Sequence, residues 1–116
     1  MTKQFAYLVS ETGGPEQLKL QQIDIPLPKD HEVLIQHLAL GKNYYDIELR
    51  RGYKIIDIDN FIPGIEAVGK IIKIGRAVTK FKVGQTIGYA TILGAYCEYR
   101  TINAEQIFPI AKDMRP

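Results

Sequence analysis

Residues 63 to 75, Pro-Gly-Ile-Glu-Ala-Val-Gly-Lys-Ile-Ile-Lys-Ile-Gly, constrain this chain more than any other stretch. They open on a Pro-Gly turn and run on as a strand closed by Gly75. One phase carries Glu66, Val68, Lys70, Ile72 and Ile74; the other carries Ile65, Ala67, Gly69, Ile71 and Lys73. The β-branched residues suit a pleated, half-buried strand. Gly69 inside it predicts a bulge or another chain passing close by. Glu66 is an acid just inside an otherwise apolar strand. The flanking pieces are expected to pack around this strand.

Taken in order, the chain offers further short strands. Lys3 to Ser10 is the first, with Phe5, Tyr7 and Val9 on one side and Ala6 and Leu8 on the other. Glu11 to Pro15, with its Gly-Gly-Pro, breaks it. Leu18 to Ile25 completes a hairpin, which Pro26 and Pro28 end because neither can donate to a sheet ladder. Glu32 to Leu40 is apolar on both phases, the mark of an interior strand. His37 in it reads as a partly buried, hydrogen-bonded histidine, since no second His or Cys stands at a ligand spacing. Gly41 to Gly52 changes period: Asn43 caps a short helix, Arg50 and Arg51 suit its negative end, and Gly52 stops it. Tyr53 to Asn60 reads as an irregular loop whose isoleucines face a partner surface. Arg76 to Lys82 is a turn anchored by Phe81. Val83 to Tyr89 gives a turn and a strand, Ala95 to Ile102 another strand, Asn103 to Glu105 a turn, Gln106 to Ile110 a last strand, and Lys112 to Pro116 a polar tail. Many short strands with Gly and Pro punctuation predict a small β-barrel or sandwich.

Composition sets the limits. A chain of 116 residues, 46% hydrophobic, is one domain or most of one. A net charge of +2 gives no argument for nucleic acid or an acidic membrane surface. The single cysteine, Cys97, excludes an intramolecular disulfide and a Cys-rich zinc site, which fits a reducing cytosol. In its strand, without a flanking base, Cys97 reads as an inert buried thiol. Tyr44, Tyr45, Tyr96 and Tyr99 read as packing residues with satisfied hydroxyls. Lys70, Lys73, Arg76, Lys80 and Lys82 read as a solvated basic face. Met1 to Ser10 holds no long apolar run, so neither a signal peptide nor a membrane span is expected.

Five motifs, in order, carry a resemblance to a known family: Gly41-x-Asn43-x-x-Asp46-x-x-x-Arg50-x-Gly52-Tyr53; Pro63-Gly64-Ile65-Glu66-x-x-Gly69; Gly75; Val83-Gly84-Gln85-Thr86-Ile87; and Gly94-Ala95-Tyr96-x-Glu98-Tyr99. Each alone is modest. Together they resemble the N-terminal GroES-like catalytic domain of the medium-chain dehydrogenase/reductase superfamily, in its zinc-independent NADPH:quinone oxidoreductase branch, the zeta-crystallin-like proteins. The resemblance runs from about Phe5 to Pro109. It implies a mainly β fold, a GroES-like, partly open β-barrel with one or two short helices. It also implies that residues 1–116 are the substrate-side domain. The Rossmann domain that follows in such enzymes, with its Gly-rich nucleotide loop, is not in this chain.

By the same resemblance the activity is NADPH-dependent hydride transfer to quinones or related conjugated carbonyls, with the chain inactive alone. The alternatives are an enoyl or alkenal reductase domain of the same superfamily and a stand-alone, non-catalytic GroES-like binding module. A lone domain would have to manage the apolar surface normally covered by its second domain, for instance by self-association. Zinc-dependent relatives carry a Cys and a His where this chain has Asn43 and Ile65, so no metal is expected. Asn43, Tyr53 and Lys54 are the candidate hydrogen-bond donors or charges for the acceptor's developing oxyanion. Asn43, Tyr44, Asp46 and Glu48, at the helix start, are the candidate residues beside the nicotinamide end of the cofactor. Two departures from the family pattern stand out, Glu48 in place of an aromatic residue and Lys54 in place of a tyrosine. Glu66 reads chiefly as a structural carboxylate. A small-molecule quinone or enone and a Rossmann domain are the expected partners, without nucleic acid or membrane, and the expected location is the cytoplasm.

Overall fold

The computed structural model describes residues 3–9, 18–41, 62–90 and 92–111. Seven strands are described: β1 (Lys3–Leu8), β2 (Lys19–Asp24), β3 (Glu32–Leu40), β4 (Ala67–Ile74), β5 (Thr86–Tyr89), β6 (Tyr99–Asn103) and β7 (Phe108–Pro109). A 3-10 turn, Ala104–Gln106, sits between the last two, with Asn103 accepting the Glu105 amide as its cap. The fold is mainly β, as the sequence predicts. Among the described residues the sheets do not close into a complete barrel: β1 and β2 form an antiparallel pair, and the other five form a sheet in the order β6-β3-β4-β5-β7.

The strand that begins beyond Pro63-Gly64 is the middle one of the five. Its Ala67/Gly69/Ile71 phase is buried and Lys70 and Lys73 are exposed. Gly69 meets the prediction made for it, because a Cβ there would stand 2.9 Å from the Gln36 carbonyl oxygen of β3. The β3–β4 register also slips twice, between Leu34 and Ile35 and between His37 and Ala39. Those slips explain the two characters of β3. Val33 and Leu34 before the first slip and Ile35 just after it are all buried; Leu38 within the second slip and Leu40 past it are exposed. Fully burying each of the first three contributes about 1.5–3 kcal/mol.

The core closes around Ile35, Ile71, Ile87, Tyr89 and Ile102, with Val78 and Phe81 covering one end. Phe81 anchors its turn as expected, and the five basic residues from Lys70 to Lys82 are exposed. The β1–β2 hairpin is tied to β6 by a buried polar side chain: Gln4 donates to the Tyr99 carbonyl at 2.8 Å and accepts the Tyr99 amide at 2.8 Å. Gln4, the buried polar side chain among the described residues, is thereby satisfied on both sides, as burial requires.

Three expected strands differ in extent. The strand expected from Ala95 begins only at Tyr99, because the preceding backbone bonds to Pro63, Gly64 and β1 instead. The strand expected from Gln106 is reduced to Phe108–Pro109, since Gln106 belongs to the 3-10 turn and Pro109 has no N–H for the ladder. The first strand ends at Leu8, with Val9 buried just beyond it. The expected hairpin loop at Glu11 to Pro15, the expected helix capped by Asn43, the expected loop from Tyr53 to Asn60 and the expected tail from Lys112 lie outside the described residues. No helix among the described residues is long and apolar enough to cross a membrane.

Candidate functional site

Two irregular segments meet at one end of the five-stranded sheet. Pro63 to Ile65 leads into β4, and residues 92–96 lead toward β6. They pair through backbone bonds: the Ile92 amide donates to the Ile65 carbonyl at 3.0 Å. Gly94 and Ala95 donate to Gly64 at 2.8 and 3.1 Å, and Tyr96 donates to Pro63 at 2.9 Å. Gly64 has φ +94°, and a Cβ there would stand 2.6 Å from the Tyr96 ring and 2.7 Å from Ala95. Only glycine satisfies both the left-handed backbone and that contact. The end of β3 arrives at the same place: the Gly41 amide donates to the Glu66 carbonyl at 3.0 Å, and the Glu66 side chain fills the space a Gly41 Cβ would need. The segment 42–61 therefore leaves and returns at this rim.

Behind the rim lies a polar cluster. His37 on β3 has Nδ1 2.8 Å from the Cys97 carbonyl oxygen and Nε2 2.8 Å from the Tyr89 hydroxyl. A carbonyl oxygen only accepts, so Nδ1 carries the proton, and when the ring is neutral Nε2 accepts from Tyr89. That pattern requires a neutral ring. Burial drives the His37 pKa down from 6.5 to about 4; the Cys97 carbonyl opposes this and the Arg100 charge adds to it. Burial likewise raises the Tyr89 hydroxyl above its ordinary value, against the pull of Arg100. Arg100 on β6 places its guanidinium carbon 5.0 Å from the Tyr89 ring centre, a cation–π contact. Its Nη1 donates to the carbonyls of Leu93 at 3.0 Å and Ile92 at 3.4 Å, and its Nε to Thr101 at 3.2 Å.

Cys97 is buried beside this cluster, its Sγ donating toward the Tyr99 and Gly94 carbonyls at 3.2 and 3.4 Å and lying 4.0 Å from His37 Nδ1. Burial pushes the thiol up to about 11. The inert thiol and the hydrogen-bonded histidine expected from sequence are both found. The role of Arg100 was not foreseen, since an isolated arginine in a short strand carries no spacing signal. An apolar groove of about 510 Å³, lined by Phe5, Tyr7, Leu20, Leu40 and Tyr96, runs beside the rim.

Asn43, Tyr44, Asp46, Glu48, Tyr53 and Lys54, the candidate residues for acceptor and cofactor, lie outside the described residues. Glu66 is half-buried at the foot of the segment that carries them. Among the described residues there is no group of three or more His, Cys, Asp or Glu placed to hold a metal.

Comparison with known proteins places these features in company. The family described as "Alcohol dehydrogenase GroES-like domain" matches residues 29–112. A quinone oxidoreductase of Lama guanicoe is 40% identical over 97 residues, covering 81% of this chain and 29% of that protein. A quinone oxidoreductase structure from Pseudomonas syringae pv. Tomato DC3000 superposes with a TM-score of 0.89 at 29% identity, over 99% of this chain and 35% of that one. The Escherichia coli quinone oxidoreductase complexed with NADPH superposes with a TM-score of 0.81 at 27% identity, over 99% and 35%. The chain thus spans about a third of the length of the relatives it matches.

Proposed function

We propose, because this chain belongs to the alcohol dehydrogenase GroES-like domain family, that it is the substrate-side domain of a zinc-independent, NADPH-dependent quinone oxidoreductase. The observation that carries the reading is the match, along most of this chain, to quinone oxidoreductases of the medium-chain dehydrogenase/reductase superfamily. A Rossmann domain in the complete enzyme would bind most of the cofactor, so residues 1–116 are inactive alone, and the enzyme works in the cytoplasm.

NADPH supplies a hydride, and the acceptor's carbonyl oxygen gains negative charge as the hydride arrives. The protein's part is to hold the acceptor, exclude water and offer donors to that oxygen. Asn43, through its amide, and Tyr53, through its phenol, are the donor types this needs, and Lys54 would add a positive charge. Asp46 orients Asn43 or the cofactor ribose, while Tyr44 and Glu48 flank the nicotinamide end. The residue types fit a cofactor handled by hydrogen bonds. They do not fit zinc, because Asn43 and Ile65 stand where thiolate and imidazole would be needed. The rim supports the reading physically: Gly41, Glu66 and the Pro63–Ile65 pairing bring both ends of segment 42–61 to one place, beside the apolar groove at Leu40 and Tyr96.

Ligand titrations followed by calorimetry test this. A soluble benzoquinone is expected to bind the chain weakly, and Asn43→Ala and Tyr53→Phe each to weaken it at least about threefold, a single neutral hydrogen bond's worth. NADPH is expected not to bind tightly. Micromolar NADPH binding, or quinone binding indifferent to both substitutions, would overturn the reading.

A further inference from the structure

Residues 92–97 are held on two sides by different chemistry. Their amides face Pro63 to Ile65: Ile92, Gly94, Ala95 and Tyr96 all donate to that segment. Their carbonyls face the polar cluster: Leu93 and Ile92 accept from Arg100, Gly94 from the Cys97 thiol, and Cys97 from His37. The Arg100 side chain also packs over Gly94, where a Cβ would come within 3.1 Å of Nη1. Arg100 and His37 are joined through Tyr89, which lies under the guanidinium with its ring and donates to His37 with its hydroxyl. Two side chains from two strands, Arg100 and His37, thus reach carbonyls of one short segment, and Tyr89 on a third strand joins them.

We infer that Arg100, with Tyr89 and His37 behind it, is a positioning residue that latches residues 92–97 against Pro63–Ile65 and so fixes the rim from which segment 42–61 departs. The latch is local. The ladder between β3 and β4 is made by backbone bonds that touch none of the three side chains' polar atoms. Loss of the latch therefore frees the rim while the sheet stays paired, a local opening that shows as motion of the rim. A guanidinium donating to carbonyls makes charge-assisted bonds, stronger than the neutral bonds on the amide side. The latch concerns the frame of the domain, and it holds whether or not the domain serves a reductase.

Native-state hydrogen exchange, read residue by residue in the 116-residue chain, tests it. Arg100→Met keeps the apolar stem and removes every donor. It is expected to lower protection at the Ile92, Gly94, Ala95 and Tyr96 amides by about tenfold or more and to lower their NMR order parameters, while the order parameters of Ile35 and Ile71 stay unchanged. Arg100→Lys, which retains the charge and can reach one carbonyl, is expected to restore part of the protection. Tyr89→Phe keeps the ring under the guanidinium and breaks only the link to His37. It is expected to give a smaller loss at the same four amides, and it serves as the readout should Arg100→Met fail to fold. Order parameters that stay unchanged at the rim, or fall equally in rim and sheet, would show no latch, and unchanged protection at the four amides would show no role; either result overturns the inference.

Discussion

Acid should weaken this domain through His37, and the size of the effect follows from the geometry. The native ring is neutral, with its Nδ1 proton given to Cys97 and its Nε2 lone pair given to Tyr89. Its pKa is about 4 when folded and 6.5 when unfolded. Between those values the unfolded chain binds the extra proton, so stability rises with pH across the window. The contribution is complete above about pH 6.5, falls as pH drops, and is gone below about pH 4. At about 1.4 kcal/mol per pH unit the gap sets a ceiling near 3 kcal/mol; partial exposure of the ring reduces this to about 2 kcal/mol. Protonation would also set a second cation beside Arg100 and leave Nε2 with a proton facing the Tyr89 hydroxyl. The check is urea unfolding at pH 7.0 and pH 4.0, followed by circular dichroism because the chain has no tryptophan. His37→Gln keeps an acceptor for Tyr89 and cannot titrate, and every other titrating group is common to both proteins. The native protein should lose about 2 kcal/mol more than His37→Gln on acidification. Equal losses, or an NMR titration placing the folded His37 near 6.5, would refute the argument.

Other tests address the frame. A methyl group at Gly75 would drive into the carbonyl oxygens of Lys29 and Asp30, both already accepting amides, from Glu32 and Ala77. Overpacking of about 1–3 kcal/mol plus two weakened bonds of about 1 kcal/mol each gives roughly 3–5 kcal/mol for Gly75→Ala, a drop in Tm of roughly 10–20 °C. Gly84→Ala, at φ +93° in open space, should cost only about 1–2 kcal/mol, and calorimetry showing the two equal would sink the steric account. The Cys97 thiol, raised to about 11, should react with a disulfide reagent at pH 7.5 only as fast as the protein opens, with rapid labelling in urea; prompt labelling of the folded chain would contradict its burial. Tyr89→Phe removes the donor to a buried Nε2 and should cost about 1–3 kcal/mol in urea unfolding, whereas a neutral result would mean that water replaces the hydroxyl.

How far the fold could be read from sequence depends on which interactions set each element. The central place of the strand after Pro63-Gly64 followed from β-branched periodicity, and the interior place of β3 from its apolar residues on both phases. Gly69 announced the close approach of Gln36 because glycine in a strand has few other uses. Residues 95–98 misled for a physical reason. Their alternation, Ala95-Tyr96-Cys97-Glu98, is that of a strand, yet their backbone bonds go to Pro63, Gly64, β1 and, from the Glu98 carbonyl, His37 of β3, with one isolated bridge in place of a ladder. Periodicity reports which side of a segment is buried, not which backbone it pairs with. The histidine was legible as buried and bonded, but its partners lie far away in sequence on β5 and before β6, and no local pattern encodes such a triad. The residues proposed to meet acceptor and cofactor rest on the family motifs and remain a proposal.

The two ends of the sheet differ in a way that bears on where chemistry can occur. At the end where β3 begins, the turn of Lys29 to Glu32 and the turn after Gly75 close on each other: Gly75 donates to Glu32 at 2.7 Å, Ala77 to Asp30 at 2.9 Å and Glu32 to Lys29 at 3.0 Å. These short turns satisfy one another's backbone, and the glycine between them admits no side chain. At the other end β3 and β4 do not turn directly into one another. The chain from 42 to 61 stands between Gly41 and Ile62, and the rim beneath it is built from glycines at 41, 64 and 94 and braced from behind by Arg100, Tyr89 and His37. A frame with small residues at its edge and a satisfied polar network at its back can anchor Gly41 and Ile62 without contributing reactive groups itself. The described polar cluster is suited to that support role: its histidine is neutral with both nitrogens engaged, and its thiol is held protonated. On the proposed reading the reacting groups come from the segment between Gly41 and Ile62. Asn43, Tyr53 and Lys54 all lie on it, so substitutions there should change ligand binding while those at the cluster should change rim protection, and the two sets of effects should separate.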